Sequence, residues 1–193
     1  DGGATIDVTA TTATFSAVSG IGASGVNASI EVSATTVNAS NSTSGGVFLN
    51  SIGGGAVTFS SIQANTAGAV ELRSASNTTL TNVSAVQNPI TITVTGTTSV
   101  DGTVQTGGTV GTADLTITSS GLVTLQATAV LSTTPGSGGT LTLGGATLVL
   151  GSAIYVGAGD VTINGGGPDL IIGASLTIAG TTSLYATRDI LVN

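Results

Sequence analysis

The sequence has no cysteine, methionine, tryptophan or histidine, and its only basic residues are Arg73 and Arg188. The absence of cysteine excludes disulfides and thiolate metal sites. Because histidine, cysteine and lysine are all missing, Ser-His-Asp, Cys-His and Schiff-base catalysis are excluded as well. A net charge of −7 repels the phosphates of nucleic acids. We therefore predict no cofactor, no metal site and no nucleic-acid partner.

The residues that are present favour β-structure. The chain is 40% hydrophobic, which argues against disorder, and it is rich in valine, isoleucine and threonine. These β-branched residues suit a pleated, half-buried surface, and no segment has apolar residues at helical spacing over three turns. The most apolar stretch, 146–159, is too short to cross a membrane as a helix. The sequence thus predicts an all-β fold without membrane insertion.

Short triplets of alternating apolar and polar residues recur about every twenty-two residues. They begin at Ile6, Ile30, Val47, Val70, Ile92, Leu115, Leu141, Val161 and Leu184. Such a period is typical of stacked repeats, in which each unit needs neighbours to bury its apolar face. Glycine and asparagine between the triplets provide the sharp bends. We therefore predict a single domain over residues 1–193, a parallel β-helix (β-solenoid) of about eight or nine coils of roughly 22 residues.

The two ends of the predicted solenoid are uncapped. The sequence begins and stops within strand patterns, without an amphipathic helix or a charged cap. Reading Asn193 straight on into Asp1 gives DILVNDGGATIDV, which is similar to the internal segment DVTINGGGPDLII. This predicts end-to-end stacking on copies of the chain, either as separate subunits or as repeats of one longer polypeptide. The predicted joint residues are Ile6, Val8, Ile190 and Val192.

The acidic residues are scattered along the chain instead of clustering on one face. Those that directly precede an apolar strand residue include Asp114, Asp160, Asp169 and Asp189. An aspartate in this position closes a turn through its side-chain oxygen, so we predict structural roles and no enzymatic activity. Glu71 and Arg73 share one face of a strand, which predicts an exposed ion pair.

Outward-facing threonines predict a ladder along the solenoid. We place Thr93, Thr116, Thr142 and Thr162 at equivalent positions of successive coils. Flat ranks of T-x-T on a solenoid resemble those of ice-binding proteins, so binding to ice or another solid surface is one interpretation. The other interpretation is structural, because threonine is a favoured outward residue in sheets and hydrogen-bonds along the stack.

Acceptor sequences for N-glycosylation lie only in the first half of the chain. They contain Asn27, Asn38, Asn41, Asn77 and Asn82. This distribution predicts glycan decoration of one part of the solenoid.

The phrase GDVTINGG at 159–166 recurs in related form through residues 111–193. In this respect the chain resembles the haemagglutinin-type repeats of large secreted bacterial exoproteins, namely the filamentous-haemagglutinin-like and autotransporter-associated β-strand-repeat proteins. The resemblance implies a right-handed parallel β-helix that forms a long fibre outside the cell.

Together these patterns predict an extracellular or cell-surface structural filament whose open ends stack. The scarcity of lysine and histidine beside abundant threonine and serine also favours an extracellular product. Two alternatives stay open at this point. One is an adhesin or ice-binding solenoid that holds glycans or a solid surface on its outward threonines. The other is a pilin-like β-sandwich that polymerises by strand donation, which needs antiparallel pairing.

Overall fold

A computed structural model describes residues 5–65, 68–107, 113–133, 139–151, 154–156, 160–165, 169–173, 176–178, 181–186 and 189–192. This part of the chain forms nineteen β-strands and no helix, so it contains no helix that could cross a membrane. The strands are β1 (Val8–Ala17), β2 (Ile30–Asn41), β3 (Val47–Ser51), β4 (Val57–Ala64), β5 (Val70–Ser74), β6 (Thr78–Val86), β7 (Ile90–Val94), β8 (Thr98–Gly107), β9 (Leu115–Ser119), β10 (Leu122–Leu125), β11 (Val130–Thr133), β12 (Leu141–Gly145), β13 (Thr147–Leu150), β14 (Ile154–Val156), β15 (Val161–Gly165), β16 (Asp169–Ile172), β17 (Leu176–Ile178), β18 (Thr182–Tyr185) and β19 (Asp189–Val192).

The strands stack in three parallel ladders, which we call the first, second and third faces. The first face contains β3, β5, β7, β9, β12, β15 and β18. The second contains the first halves of β4, β6 and β8, followed by β10, β13, β16 and β19. The third contains the second halves of the same three long strands, followed by β11, β14 and β17. The two long strands β1 and β2 precede this stack and pair with each other.

This architecture is a parallel β-solenoid of about seven turns of roughly 22 residues. The predicted all-β fold, the parallel pairing and the repeat length are therefore confirmed. The predicted eight or nine coils exceed this number. Every pairing between named strands in the described part of the chain is parallel. The antiparallel, pilin-like β-sandwich is therefore excluded.

Alternation within each strand places apolar side chains in columns along the solenoid axis. On the first face, one buried column consists of Val47, Val70, Ile90, Leu115, Leu141 and Val161. Full burial of each such side chain contributes about 1.5–3 kcal/mol. The sequence prediction began the corresponding triplets at Ile92 and Leu184, whereas the column contains Ile90 and Thr182. Both predicted triplets therefore begin two residues too late, one step of the inward–outward alternation.

Side chains at the corners connect each turn to the next. Asp114 Oδ1 accepts a hydrogen bond from the backbone N–H of Thr140 at 2.8 Å, and Asp160 Oδ1 accepts one from Thr181 at 2.9 Å. For Asp114 and Asp160, the side-chain oxygen accepts a backbone N–H, but the donor lies one turn later, so the bond joins two turns and does not close one as predicted. Asp7, Asn41 and Asn77 accept backbone N–H groups of the following turn in the same way. Asp169 and Asp189 are register partners on the second face, and the side chain of Asp169 lies outside the described part of the structure.

Candidate functional site

The predicted joint residues lie in the first and last described turns. Ile190 and Val192 continue the inward columns of Leu170 and Ile172 on the second face, yet they are 44% and 72% exposed. Among the described strands, β19 has its register partner in β16, and no described strand covers its other side. Within the described residues, the apolar cross-section of the core is therefore uncovered at β19.

At the opposite end, Val8 is the register partner of the buried Val32 and packs against the core. Ile6 precedes β1 and is 42% exposed. The structure therefore brings Ile6 close to Val8, and Ile190 close to Val192, with about seven turns between the two pairs. The geometry is that of two separate end surfaces and not of one combined site.

The predicted threonine ladder is present on the first face with one different member. Thr116, Thr142 and Thr162 are register partners in successive turns. The partner of Thr116 in the preceding turn is Thr91, whereas Thr93 pairs with Thr118 in the neighbouring column. The prediction of Thr93 is therefore corrected to Thr91, and the cause is the same shift by one alternation that affected Ile92.

A longer column of hydroxyl side chains lies on the second face and was missed by the sequence prediction. It consists of Thr12, Thr36, Thr58, Thr79, Ser99 and Thr124. In the last described turns, the same outward column continues with Val149, Ile171 and Leu191. Register shifts between β2 and β4 and between β6 and β8, together with the unequal turn lengths, hide this alignment in the sequence. The surface thus changes from hydroxylated to aliphatic along one line.

The five predicted glycosylation acceptors fall into two groups. Four are exposed or partly exposed: Asn27, Asn38, Asn77 and Asn82. Asn41 is fully buried, and its Nδ2 donates to backbone carbonyls of the turn that follows β2, including that of Gly45. Its Oδ1 accepts the backbone N–H of Asn65 at 3.0 Å. A glycan on Asn41 is incompatible with these contacts, so Asn41 is removed from the predicted acceptors.

The ion pair on the first face lies under a loop and not on an open surface. Arg73 donates from Nε to Glu71 Oε1 at 2.8 Å and from Nη2 to the same oxygen. The loop at 22–29 supplies Ser24, whose hydroxyl donates to Glu71 Oε2 at 2.7 Å. Burial alone raises the pKa of Glu71, but hydrogen bonds from Ser24 and Arg73 outweigh it, so the pKa is lowered. The prediction of an exposed pair is therefore wrong for Glu71, whose side chain is only 15% exposed.

Glu31 is a buried carboxylate that the sequence prediction did not foresee. It is only 1% exposed. Its Oε1 is 3.4 Å from the donor Ser29 Oγ, and its Oε2 has no hydrogen-bond partner among the described residues. Within the described ranges, no group of three or more acidic side chains could hold a metal ion. Glu31 is therefore an isolated buried acid and not part of a ligand cluster.

Two shallow grooves of ligand size lie on the surface. One has a volume of about 480 Å³ and runs along the first turns beside Thr9, Ser33 and Gly53, where only small side chains and backbone line it. The other has a volume of about 410 Å³ and crosses the first face beside Gly144 and Asn164. Both grooves are wide open to solvent, unlike the clefts that bury most of a small ligand. The second groove differs from the first because an asparagine amide, which can both donate and accept hydrogen bonds, lines it.

The three ladders place the chain in the class of parallel β-solenoid repeat proteins. No protein-family model, curated protein or solved structure matches it. The resemblance to filamentous-haemagglutinin-like exoproteins therefore stays a sequence-based expectation.

Proposed function

We propose that the chain is a segment of an extracellular structural filament, in which the solenoid turns set length and stiffness and the open ends continue into further solenoid turns. The observation that carries this proposal is the exposure of Ile190 and Val192 at inward positions. Buried columns of aliphatic side chains lead directly to these two residues. The surface that Ile190 and Val192 form is therefore apolar and suited to pack against the apolar cross-section of another solenoid turn.

A further turn stacked on β19 would satisfy two physical requirements at once. It would pair backbone N–H and C=O groups along the outer edge of β19, because an exposed strand edge invites association. It would also remove the apolar side chains from water, which stabilises the joint by about 25 cal/mol for each Å² of apolar surface buried. The first turn, with Val8 in an inward column, presents a surface of the same chemistry. Stacking of the last turn of one copy on the first turn of the next is therefore the arrangement that we propose.

We also propose the right-handed sense of coiling. Connections between parallel strands of one sheet are right-handed in about 98% of cases, because the strand twist favours that path. This sense agrees with the expectation from the resemblance. A density map of the filament at a resolution that shows side chains tests it, and a left-handed path would reject it.

The experiment that tests the filament proposal is electron microscopy of the purified chain together with fibre diffraction. We expect unbranched rods and a reflection along the rod axis at about 4.8 Å, the spacing of strands stacked in parallel. A denaturing gel of the native material separates the two forms of the proposal, since subunits enter the gel at the size of one chain and tandem repeats do not. Folded chains that stay monomeric at high concentration would reject it.

A second candidate function is binding of ice or another crystalline surface by the hydroxyl column of the second face. The observation that favours it is the uninterrupted register of six hydroxyl side chains from Thr12 to Thr124. Side chains in such a column repeat at about 4.8 Å, so they can match a periodic surface. An ice-recrystallisation assay on the wild type, Thr79→Lys and Thr116→Lys tests it. Loss of ice-recrystallisation inhibition in Thr79→Lys but not in Thr116→Lys supports binding by the second face. A wild type without this activity rejects the surface-binding function.

A further inference from the structure

Gly144 interrupts the outward surface of the first face without a structural reason. It lies inside β12, between its register partners Thr118 and Asn164. A Cβ atom there would lie 3.5 Å from Thr118 Cγ2 and 4.0 Å from the Asn164 carbonyl oxygen, which are ordinary contacts, and its φ is not positive. The adjacent Gly145 is different, because its Cβ would lie 2.8 Å from Val123 Cγ2. Glycine inside a strand weakens the strand and often marks the close approach of a ligand.

The groove above Gly144 presents polar atoms to its contents. On one side, the hydroxyls of Thr118 and Ser120 donate to backbone carbonyls of the preceding turn, which leaves their oxygens available as acceptors. On the other side is Asn164, which is exposed and whose side chain has no hydrogen-bond partner within the described part of the chain. The amide of Asn164 can therefore donate and accept at the same time.

An exposed aromatic ring stands at the end of the same column. Tyr185 is the register partner of Asn164 and is 56% exposed. Phe59 is fully buried, and Phe15 and Phe48 are partly buried, so Tyr185 is the exposed one among the four aromatic residues whose side chains the structure describes. Two turn spacings, about 10 Å in total, separate Gly144 from Tyr185. This distance is roughly the length of a disaccharide.

We propose that the groove lined by Thr118, Gly144 and Asn164, together with Tyr185 as the next residue of the same column, binds a neutral glycan, and we call this surface the glycan groove. One sugar ring lies over Gly144 and exchanges hydrogen bonds with the Asn164 amide, while a neighbouring ring packs its C–H face on Tyr185. The ligand is neutral because no described basic side chain lines the groove and the net charge of −7 disfavours acidic glycans. This binding site goes beyond the filament role and does not depend on end-to-end stacking.

The test is a glycan array that carries neutral oligosaccharides, with sulfated and uronic-acid glycans as a separate arm, followed by titration calorimetry with the neutral glycan bound best. We expect Gly144→Thr, which fills the groove, and Tyr185→Ser to weaken binding about tenfold or more. Gly54→Thr is the matched control, because a Cβ at Gly54 meets nothing within 4 Å and lies outside the groove. Tyr185→Phe keeps the ring and is expected to bind like the wild type. Thermal unfolding of each variant confirms that it is folded.

The proposal is overturned if the wild type binds no neutral glycan, if it binds acidic glycans in preference, or if Gly144→Thr binds as tightly as the wild type. A chain that binds neutral glycans but stays monomeric would reject the filament proposal and leave the glycan groove intact. A chain that forms rods without binding glycans would reject the glycan groove and leave the filament proposal intact.

Discussion

Asp114 Oδ1 accepts a hydrogen bond from the backbone N–H of Thr140, 26 residues later in the chain and one turn further along the axis. The same relationship joins Asp160 to Thr181. Corner residues of these solenoid turns therefore do more than bend the chain. Their side chains extend the backbone ladder into the loops, where no strand pairing is available.

The corner bond predicts a measurable loss of stability when its acceptor is removed. Asp114→Ala leaves the N–H of Thr140 unpaired and is expected to lower the free energy of unfolding by about 1.5–3 kcal/mol, the usual contribution of a hydrogen bond to a charged group. Urea unfolding measures this value. Asp101→Ala is the control, because Asp101 is exposed and its carboxylate accepts from the nearby Ser99 hydroxyl and not from a backbone N–H of another turn. For this variant we expect a change within about 0.5 kcal/mol. Equal effects of the two variants would contradict the corner role.

The contact between the loop at 22–29 and Glu71 predicts that Glu71 stabilises the fold in a pH-dependent way. The pKa of Glu71 in the folded chain is below its ordinary value of 4.5, so the ionised carboxylate stabilises the fold above that pH. This contribution is lost as the pH falls through the folded-state pKa. We therefore expect the difference in melting temperature between the wild type and Glu71→Gln to be constant well above pH 4.5 and to shrink below it.

Ser24→Ala provides the internal check on that curve. It removes the hydrogen bond from the loop to Glu71 Oε2 while leaving Arg73 in place. The melting temperature of Ser24→Ala is compared with that of the double variant Ser24→Ala/Glu71→Gln. We expect this difference to be smaller than the difference between the wild type and Glu71→Gln. If melting temperatures of the wild type and Glu71→Gln fall in parallel with pH, the loop contact does not exist in solution.

The register of the first face can be tested by cross-linking, since the chain has no native cysteine. Thr91 and Thr116 are direct partners, so their Cα atoms lie about 4.8 Å apart, within the range of a disulfide. Thr93 and Thr116 are diagonal neighbours at about 7–8 Å, which is too far. We expect Thr91→Cys with Thr116→Cys to lose its free thiols on mild oxidation, and Thr93→Cys with Thr116→Cys to keep them. The opposite result would restore the register predicted from the sequence.

The sequence was sufficient for the fold class because burial requires a particular period. Alternating triplets about every twenty-two residues leave stacked parallel strands as the way to bury valine and isoleucine on every turn. Register within a turn was harder to predict. In β7, the pattern Ile-Thr-Ile-Thr-Val offers two equivalent alignments, and only the three-dimensional path selects Ile90 over Ile92.

The features missed at the candidate sites depend on contacts between distant residues. Glu31 occupies an outward register position beside Asn50, yet it is buried close to Ser29 at the end of the loop. Asn41 matches a glycosylation sequence, but its side chain is used inside a corner. Gly144 resembles any other glycine in a glycine-rich chain, and only its open surroundings distinguish it from Gly145.

The filament proposal is tested most directly by two substitutions on the same end strand. Ile190 and Leu191 are 44% and 45% exposed, but Ile190 continues an inward column and Leu191 an outward one. Analytical ultracentrifugation and electron microscopy are to be done on the wild type, Ile190→Asp and Leu191→Asp. We predict rods for the wild type and for Leu191→Asp, and folded monomers for Ile190→Asp, because a charge inside the joint costs several kcal/mol. Rods of Ile190→Asp equal to those of the wild type, or a wild type that stays monomeric while folded, would contradict the proposal.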